Sequence, residues 1–452
     1  MILLMTTAPP VNSPWGMPMR LPPLGLAYVA ASLEKAGFQV KILDNYVLGK
    51  PIAEIKQTVK QFNPDIVGIT CSSATFEECI ELAKAVKEEL PLCKVVVGGW
   101  HPSYMPETML QHPEMDYAVM GEGEQAMVLL VTQILKGQNA RVDSIPGLAY
   151  KQADKIVTNP QEFITRLDDV PFPARHLLPM QLYDRTISFL KAKPVDTINV
   201  VRGCPYNCAY CETKRLWGPT CRTFSPSRVI AELEHMISNY GTKGVYFVGD
   251  NFTVRKKETL ELCELLKKNK IDLEWVCDTR VDLVSRDLLR AMKGAGCRTV
   301  WFGVESGSPR VLKRLNKGIT LEQALRTFKL CREEGLQTSA SFVLGIPGET
   351  VNDMEATFKF AKRLDPDWCQ FNIFIACPGS SLYDEVLEKH LYDRREGFLL
   401  FVKTEDFDYH SLLEIQKRFQ KDFDLSTSRI LKKMRKEGLM NVLRKGYEYY
   451  RR

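Results

Sequence analysis

Short apolar runs alternate along the first 140 positions with longer stretches whose apolar residues recur at helical spacing. The short runs predict strands over residues 2–7, 39–43, 66–70, 95–97 and 117–120. The longer stretches predict helices over 24–36, 52–62, 76–90 and 124–135, the first of them stopped by Gly37. Strands that alternate with crossover helices form a doubly wound parallel sheet, whose ligands bind at the carboxyl ends of its strands. A proline-punctuated stretch follows over 140–195, read as a linker with a short hairpin; its Pro171-Phe172-Pro173-Ala174-Arg175 run suits packing better than chemistry. The alternation then resumes, with strands over 197–201, 245–248, 274–279, 299–304, 338–344 and 370–375. Helical spacing between them covers 226–240, 257–268, 286–293, 321–334 and 351–364. Six such units are too few for a closed eight-stranded barrel and suit a partial one. The expected chain is therefore α/β throughout: a Rossmann-like domain over 1–139, the linker, a partial (β/α)6 barrel over 196–377, and a short, mostly helical capping region over 378–452. In that last region Tyr383, Phe398, Phe401 and Phe407 are read as packing residues ahead of a substrate entrance.

Composition changes this picture little. A chain of 452 residues, 45% apolar and 26% charged, suits two or three ordinary globular domains. Thirteen cysteines with no signal-like start and no membrane-length apolar run predict reduced thiols in the cytoplasm. Ten of them are scattered and read as small core hydrophobes. Charge is more telling. Residues 426–452 hold nine Lys/Arg against two acids, a surplus that exceeds the net +6 of the whole chain. The remainder is nearly neutral and predicts no nucleic-acid groove. Ile430, Leu431, Met434, Leu439, Val442 and Leu443 interleave with the tail's cations, a pattern compatible with peripheral contact on the inner membrane face and equally with a solvated helix. A small-molecule substrate and a lipid or isoprenoid one both stay open.

The candidate chemistry gathers at strand ends. Cys204, Cys208 and Cys211 stand in Gly203-Cys204-Pro205-Tyr206-Asn207-Cys208-Ala209-Tyr210-Cys211, directly after a β-branched run. Thiolates suit Fe–S clusters or zinc. Three thiolates on a four-iron cubane leave one iron open to a small molecule, whereas tetrahedral zinc needs a fourth ligand and His176 and His235 are far off in sequence. Asp250, Arg280, Glu305, Ser339, Ser341 and the Gly345-Ile346-Pro347-Gly348-Glu349 turn form a polar rim at the other strand ends, suited to a zwitterionic ligand. In the first domain the strand-end loops are a Pro/Met/Trp-rich stretch over 9–19, Cys71-Ser72-Ser73-Ala74-Thr75, Gly98-Gly99-Trp100-His101-Pro102 and Gly121-Glu122-Gly123-Glu124. Glycines there let backbone approach a bulky ligand closely, although loops that merely turn read the same way.

Pro22-Pro23-Leu24-Gly25-Leu26-Ala27-Tyr28 with the last two of those loops resembles the cobalamin-binding domain of B12-dependent radical SAM enzymes. The cysteine triad with its rim resembles the radical SAM superfamily over nearly all of 196–376. The resemblance implies cobalamin at Ser72, Ser73, Gly98, Gly99, Gly121, Glu122 and Gly123. The DxHxxG motif is missing after the first strand, so no histidine of that motif reaches cobalt; His101 and His112 are expected in structural roles. It further implies a [4Fe–4S] cluster on the triad, with S-adenosylmethionine (SAM) chelating the open iron. Tyr210 matches the position beside adenine, and Gly249-Asp250 matches the motif at the methionine amino group in an acidic variant. Glu305 and Ser341 match positions near ribose and methionine, Leu344 and Pro347 bracket the adenine-contacting segment, and Arg280 is placed at the SAM carboxylate. The implied activity is methylation of an unactivated carbon by way of a 5′-deoxyadenosyl radical and methylcobalamin, fed by an external donor such as flavodoxin or ferredoxin. A cyclase, ring-forming or oxidative radical enzyme is the alternative, and a cobalamin-binding regulator a more distant one. No side chain is assigned a catalytic role.

Overall fold

In the computed structural model, residues 1–8, 21–136, 141–426 and 429–430 are described. The 9–19 loop and nearly all of the basic tail lie outside them. The first sheet orders its strands β2-β1-β3-β4-β5-β6-β7, where β1 is Ile2–Thr6, β2 Val40–Asp44, β3 Ile66–Thr70, β4 Lys94–Gly98, β5 Tyr117–Val119, β6 Leu148–Gln152 and β7 Lys155–Thr158. β1 to β5 run parallel. Their side chains alternate between two cores, as a strand buried on both faces requires. Leu3, Met5, Val67, Ile69, Val95 and Val97 meet helices Ile52–Phe62 and Phe76–Glu89 on one face. Leu4, Val96 and Val119 meet helices Leu24–Lys35 and Gly123–Leu135 on the other.

The linker is less of a tether than its prolines suggest. Its expected hairpin is β6–β7, and β6 pairs antiparallel with β5, Tyr117 opposite Tyr150 and Val119 opposite Leu148. The first sheet therefore continues past residue 139, because the free edge of β5 offers backbone groups that the hairpin takes up. Farther on, Ile187, Phe189 and Leu190 form a strap against Val195, Tyr246 and Val276 of the second sheet. Phe189 is wedged edge-on between Trp301, at 5.2 Å, and Trp368, at 5.0 Å.

The second sheet is ordered β14-β13-β12-β11-β10-β8-β9, and does not close on itself. Here β8 is Val195–Arg202, β9 Arg222–Thr223, β10 Gly244–Gly249, β11 Glu274–Thr279, β12 Cys297–Glu305, β13 Gln337–Leu344 and β14 Trp368–Ile373. All six long strands are parallel, the partial barrel that the alternation predicts. Ile198, Phe247, Trp275, Phe302, Phe342 and Phe371 are buried among the surrounding helices. Beyond them a three-stranded antiparallel sheet, Ile375–Ala376, Tyr392–Glu396 and Leu399–Val402, stands between helices Ser381–Glu388 and Tyr409–Asp424. The mostly helical cap thus contains a small sheet that its sequence pattern does not announce. Its second helix covers the edge of β14: Gln416 and Gln420 donate side-chain amides to the Phe371 and Cys369 carbonyls. Tyr383, Phe401 and Phe407 are buried, and Phe398 packs on Phe76 and His101 at 4.9 and 4.6 Å, which is the packing reading. Of the ten scattered cysteines nine are buried, as small hydrophobes should be. Among the described residues no helix is long and apolar enough to cross a membrane.

Candidate active site

β8 ends at Arg202, and Gly203 turns the chain into the cysteine loop with φ +87°. A Cβ at Gly203 would lie 2.3 Å from the Thr220 carbonyl oxygen, so the turn requires glycine. The Gly203 N–H donates to Asp250 Oδ2 at 2.7 Å, which ties the loop to the end of β10. Cys204, Cys208 and Cys211 are half-buried around a cavity of about 260 Å³ that Tyr206, Thr213 and Gly379 also line. Asn251 Nδ2 donates to Cys204 Sγ at 3.2 Å, and Cys211 Sγ lies 3.2 Å from Thr213 Oγ1. Among the described residues no three His, Cys, Asp or Glu side chains converge as a single ion needs. His176 pairs with Glu34 and His235 with Asn239, so neither completes a zinc site. Three soft donors spread around a half-open pit, with hydrogen-bond donors at sulfur, fit the corners of a cubane instead. Burial pushes the Cys211 thiol up to about 11, so the thiolate form depends on the cation it binds.

The rim residues are held by one another. Tyr210 Oη donates to Glu305 Oε1 at 2.8 Å, and Lys317 Nζ reaches the same oxygen at 2.8 Å. Glu305 takes this position with φ +68°, a conformation rare for a residue with a Cβ. The Arg280 guanidinium stacks over the Tyr206 ring at 3.7 Å and is gripped by Asp282 and by the Lys317 carbonyl at 2.6 Å. Its charge faces the cysteine loop but is already shared. Asp250, half-buried at the end of β10, is pushed up to about 6 by burial, a rise opposed by the Gly203 N–H and the Thr213 hydroxyl. Ser341 accepts from Asn372 Nδ2 at 2.9 Å on the inner face of β13. Leu344 is buried, and Arg314 Nε donates to the Pro347 carbonyl at 3.3 Å. Just beyond them Glu349 accepts from the Gly345 and Ile346 N–H groups at 2.7 and 3.1 Å and fixes the turn.

A second cavity, about 320 Å³, opens between the carboxyl ends of the two sheets. From the first domain it is lined by Gly68, Thr70, Gly98, Gly99, Trp100, Gly121, Glu122 and Gly123, and from the second by Asn199, Arg202, Trp217 and Val248. Gly68 and Leu4 share its wall, and a Cβ at Gly68 would sit 2.6 Å from Leu4 Cδ2. Ser72 and Ser73 lie outside the lining. Ser72 closes a capping turn with Thr75, and Ser73 Oγ lies 3.0 Å from His101 Nδ1. His101 is fully buried with Nε2 2.9 Å from Thr108 Oγ1, and burial pushes it down to about 4. His112 lies against the Phe76 ring, and neither imidazole lines the cavity. Thr70, one position upstream of the predicted loop, lines the cavity instead.

The Glu122 carboxylate faces the second domain. Arg202, fully buried, reaches Glu122 Oε1 at 2.8 Å and Glu124 Oε1 at 2.6 Å; Arg222 and the Ile164 N–H take Glu122 Oε2, each at 2.7 Å. The Arg202 guanidinium also lies over the Trp217 and Tyr28 rings at 4.9 and 5.2 Å. Arg202, Arg222, Trp217 and Lys317 escape a reading of the sequence. Only Arg202 carries a local signal, standing two residues before the first cysteine.

The chain matches two family models, the Radical SAM superfamily over residues 198–361 and the B12 binding domain over 17–131. A protein of Pyrococcus horikoshii named an uncharacterized methyltransferase is 37% identical over 82% of this chain and 79% of its own length. The anaerobic magnesium-protoporphyrin IX monomethyl ester cyclase of Rubrivivax gelatinosus is 30% identical over 81% of this chain and 67% of its own. Among solved structures, the radical S-adenosylmethionine methyltransferase TsrM of Kitasatospora setae, with cobalamin and a [4Fe-4S] cluster bound, has a similar fold. Its TM-score is 0.70 at 21% identity, covering 87% of this chain and 76% of that one.

Proposed function

The chain belongs to the radical SAM enzymes that carry a B12-binding domain, and from that premise we propose that it methylates an unactivated carbon of a small-molecule substrate. The observation that carries this reading is the shared cavity. Asn199 and Val248, on strands that end beside the cysteine loop, line the same space as Gly98, Gly99 and Gly121. When bound, the cluster with SAM supplies a 5′-deoxyadenosyl radical and cobalamin supplies a transferable methyl group. The protein's work is to hold and orient. Cys204, Cys208 and Cys211 would hold the cluster, with Asn251 and Thr213 in contact with the Sγ atoms of Cys204 and Cys211. Asp250 and Arg280 would flank SAM, and the Tyr210–Glu305–Lys317 network keeps the rim rigid. Gly98, Gly99, Gly121 and Gly123 would give a corrinoid a close backbone seat, with Gly68 in the same wall. An external reductant such as flavodoxin or ferredoxin delivers the electron, in a cytoplasmic setting that keeps thiols reduced.

Two experiments test the reading. Anaerobically reconstituted enzyme, given methyl-deuterated SAM, cobalamin, reductant and the small-molecule extract of a deletion strain, should form 5′-deoxyadenosine and a product carrying the deuterated methyl. A product that is only cyclised or oxidised would assign the chain to the chemistry named for its Rubrivivax relative. Second, Gly68→Ile fills the space beside Leu4. It should lower cobalamin affinity about tenfold or more, equivalent to about 1.4 kcal/mol, as read from corrinoid absorbance after equilibrium dialysis. Unchanged retention would move the cofactor away from this cavity.

A further inference from the structure

The inner face of the second sheet carries polar side chains, Tyr246, Asp278 and Gln370, to which the cofactor assignments give no role. Along its strands the helix-facing residues are buried, while the alternate residues Asn199, Tyr246, Asp278, Trp301, Ser341 and Gln370 stay partly exposed. That two-residue alternation marks an accessible lumen. The strap of Ile187, Phe189 and Leu190 closes its amino end, and Asn199 lines the shared cavity as well. In register Asp278 stands level with Trp301, and Trp301 level with Ser339.

Three oxygens of this face lack a hydrogen-bond partner among the described residues: Asp278 Oδ1, Asn199 Oδ1 and Ser339 Oγ. Tyr246 Oη donates to the other Asp278 oxygen. Each unsatisfied buried polar group costs about 1–3 kcal/mol, and folded proteins keep few of them. Asp278 also has no ion pair among the described residues; Arg280, two residues on, is held by Asp282 and the Lys317 carbonyl. A carboxyl placed so lacks a cation as well as a donor. Burial pushes Asp278 up to about 7, an effect that an arriving positive charge reverses.

We propose that the lumen seats a substrate bearing a primary or secondary amine, its ammonium on Asp278 with the Asn199 oxygen as a further acceptor. The assignment rests on the proposed function in taking the lumen as the substrate's place, but its test needs no turnover. Reconstituted enzyme saturated with SAM, so that the amino group of SAM is already accommodated, is titrated calorimetrically with n-butylammonium and with neutral 1-butanol. Wild type should bind the ammonium about tenfold or more tightly than the alcohol, and Asp278→Asn should lose that preference. Should Asp278→Asn fail to fold by circular dichroism, Asn199→Ala serves in its place and should weaken the ammonium selectively. Equal affinity of the two probes for wild type, no ammonium binding at all, or a preference that survives in the variant overturns the proposal. Wild type that prefers the ammonium yet yields no 5′-deoxyadenosine would sink the proposed function and leave this assignment standing.

Discussion

Cys208→Ala should strip the protein of its cluster and reduce SAM cleavage to background. Even residues that only support a metal's ligands cost about 10–100-fold in affinity or activity when lost, so removing one of just three ligands should exceed about 100-fold. The loop offers no replacement: among the described residues no other cysteine lines the 260 Å³ cavity, and His176 and His235 are engaged elsewhere. Iron and sulfide assays after anaerobic reconstitution, with 5′-deoxyadenosine measured by chromatography, check this. Cys221→Ala supplies the contrast, since that thiol lies outside the cavity lining and its loss should leave the iron in place. Equal iron in wild type and Cys208→Ala would return the triad to the status of three packed thiols.

The second large effect concerns stability. Arg202→Met keeps the bulk of the side chain and removes its charge, so Glu124 loses its ion pair and remains buried. Glu122 keeps Arg222 and the Ile164 N–H and suffers less. Stranding one partner of a buried pair costs about 3–5 kcal/mol, much more than the intact pair contributes. Urea unfolding followed by tryptophan fluorescence should register that loss, and Trp217 reports locally because it lies over the guanidinium. The double variant Arg202→Met/Glu124→Gln should recover part of it, because the stranded charge is gone. A single variant within about 0.5 kcal/mol of wild type would mean that water reaches the pair, as at an exposed surface site.

Local periodicity sufficed for every long parallel strand, because the first sheet's strands, buried on both faces, leave apolar runs, the second sheet's alternate with period two, and their helices keep a 3.6-residue stripe. The cysteine loop was legible for a related reason: three ligands for one group lie within eight residues. What escaped was whatever depends on contact across the chain. Glu122 stood out in the sequence for its glycines, yet its carboxylate is bound to Arg202, 80 residues away. Tyr210 and Glu305 were picked out singly, but Lys317, which joins them, sits in a loop without any distinguishing pattern. Ser72 and Ser73 were chosen as small hydroxyl residues after β3; the chain turns away in a capping turn there, and the cavity is lined instead by Gly68, Ile69 and Thr70.

The connector between the sheets has a consequence for modularity. Its hairpin is the outer edge of one sheet, and its strap is the floor of the other. Neither catalytic half is therefore a detachable cassette, although each carries its own recognisable signature. A chimera that exchanges barrels between relatives at a point near residue 139 or 196 divides a sheet from its border or a pit from its base. The natural unit of exchange carries the whole connector with the barrel, together with an edge complementary to Tyr117–Val119 of the recipient.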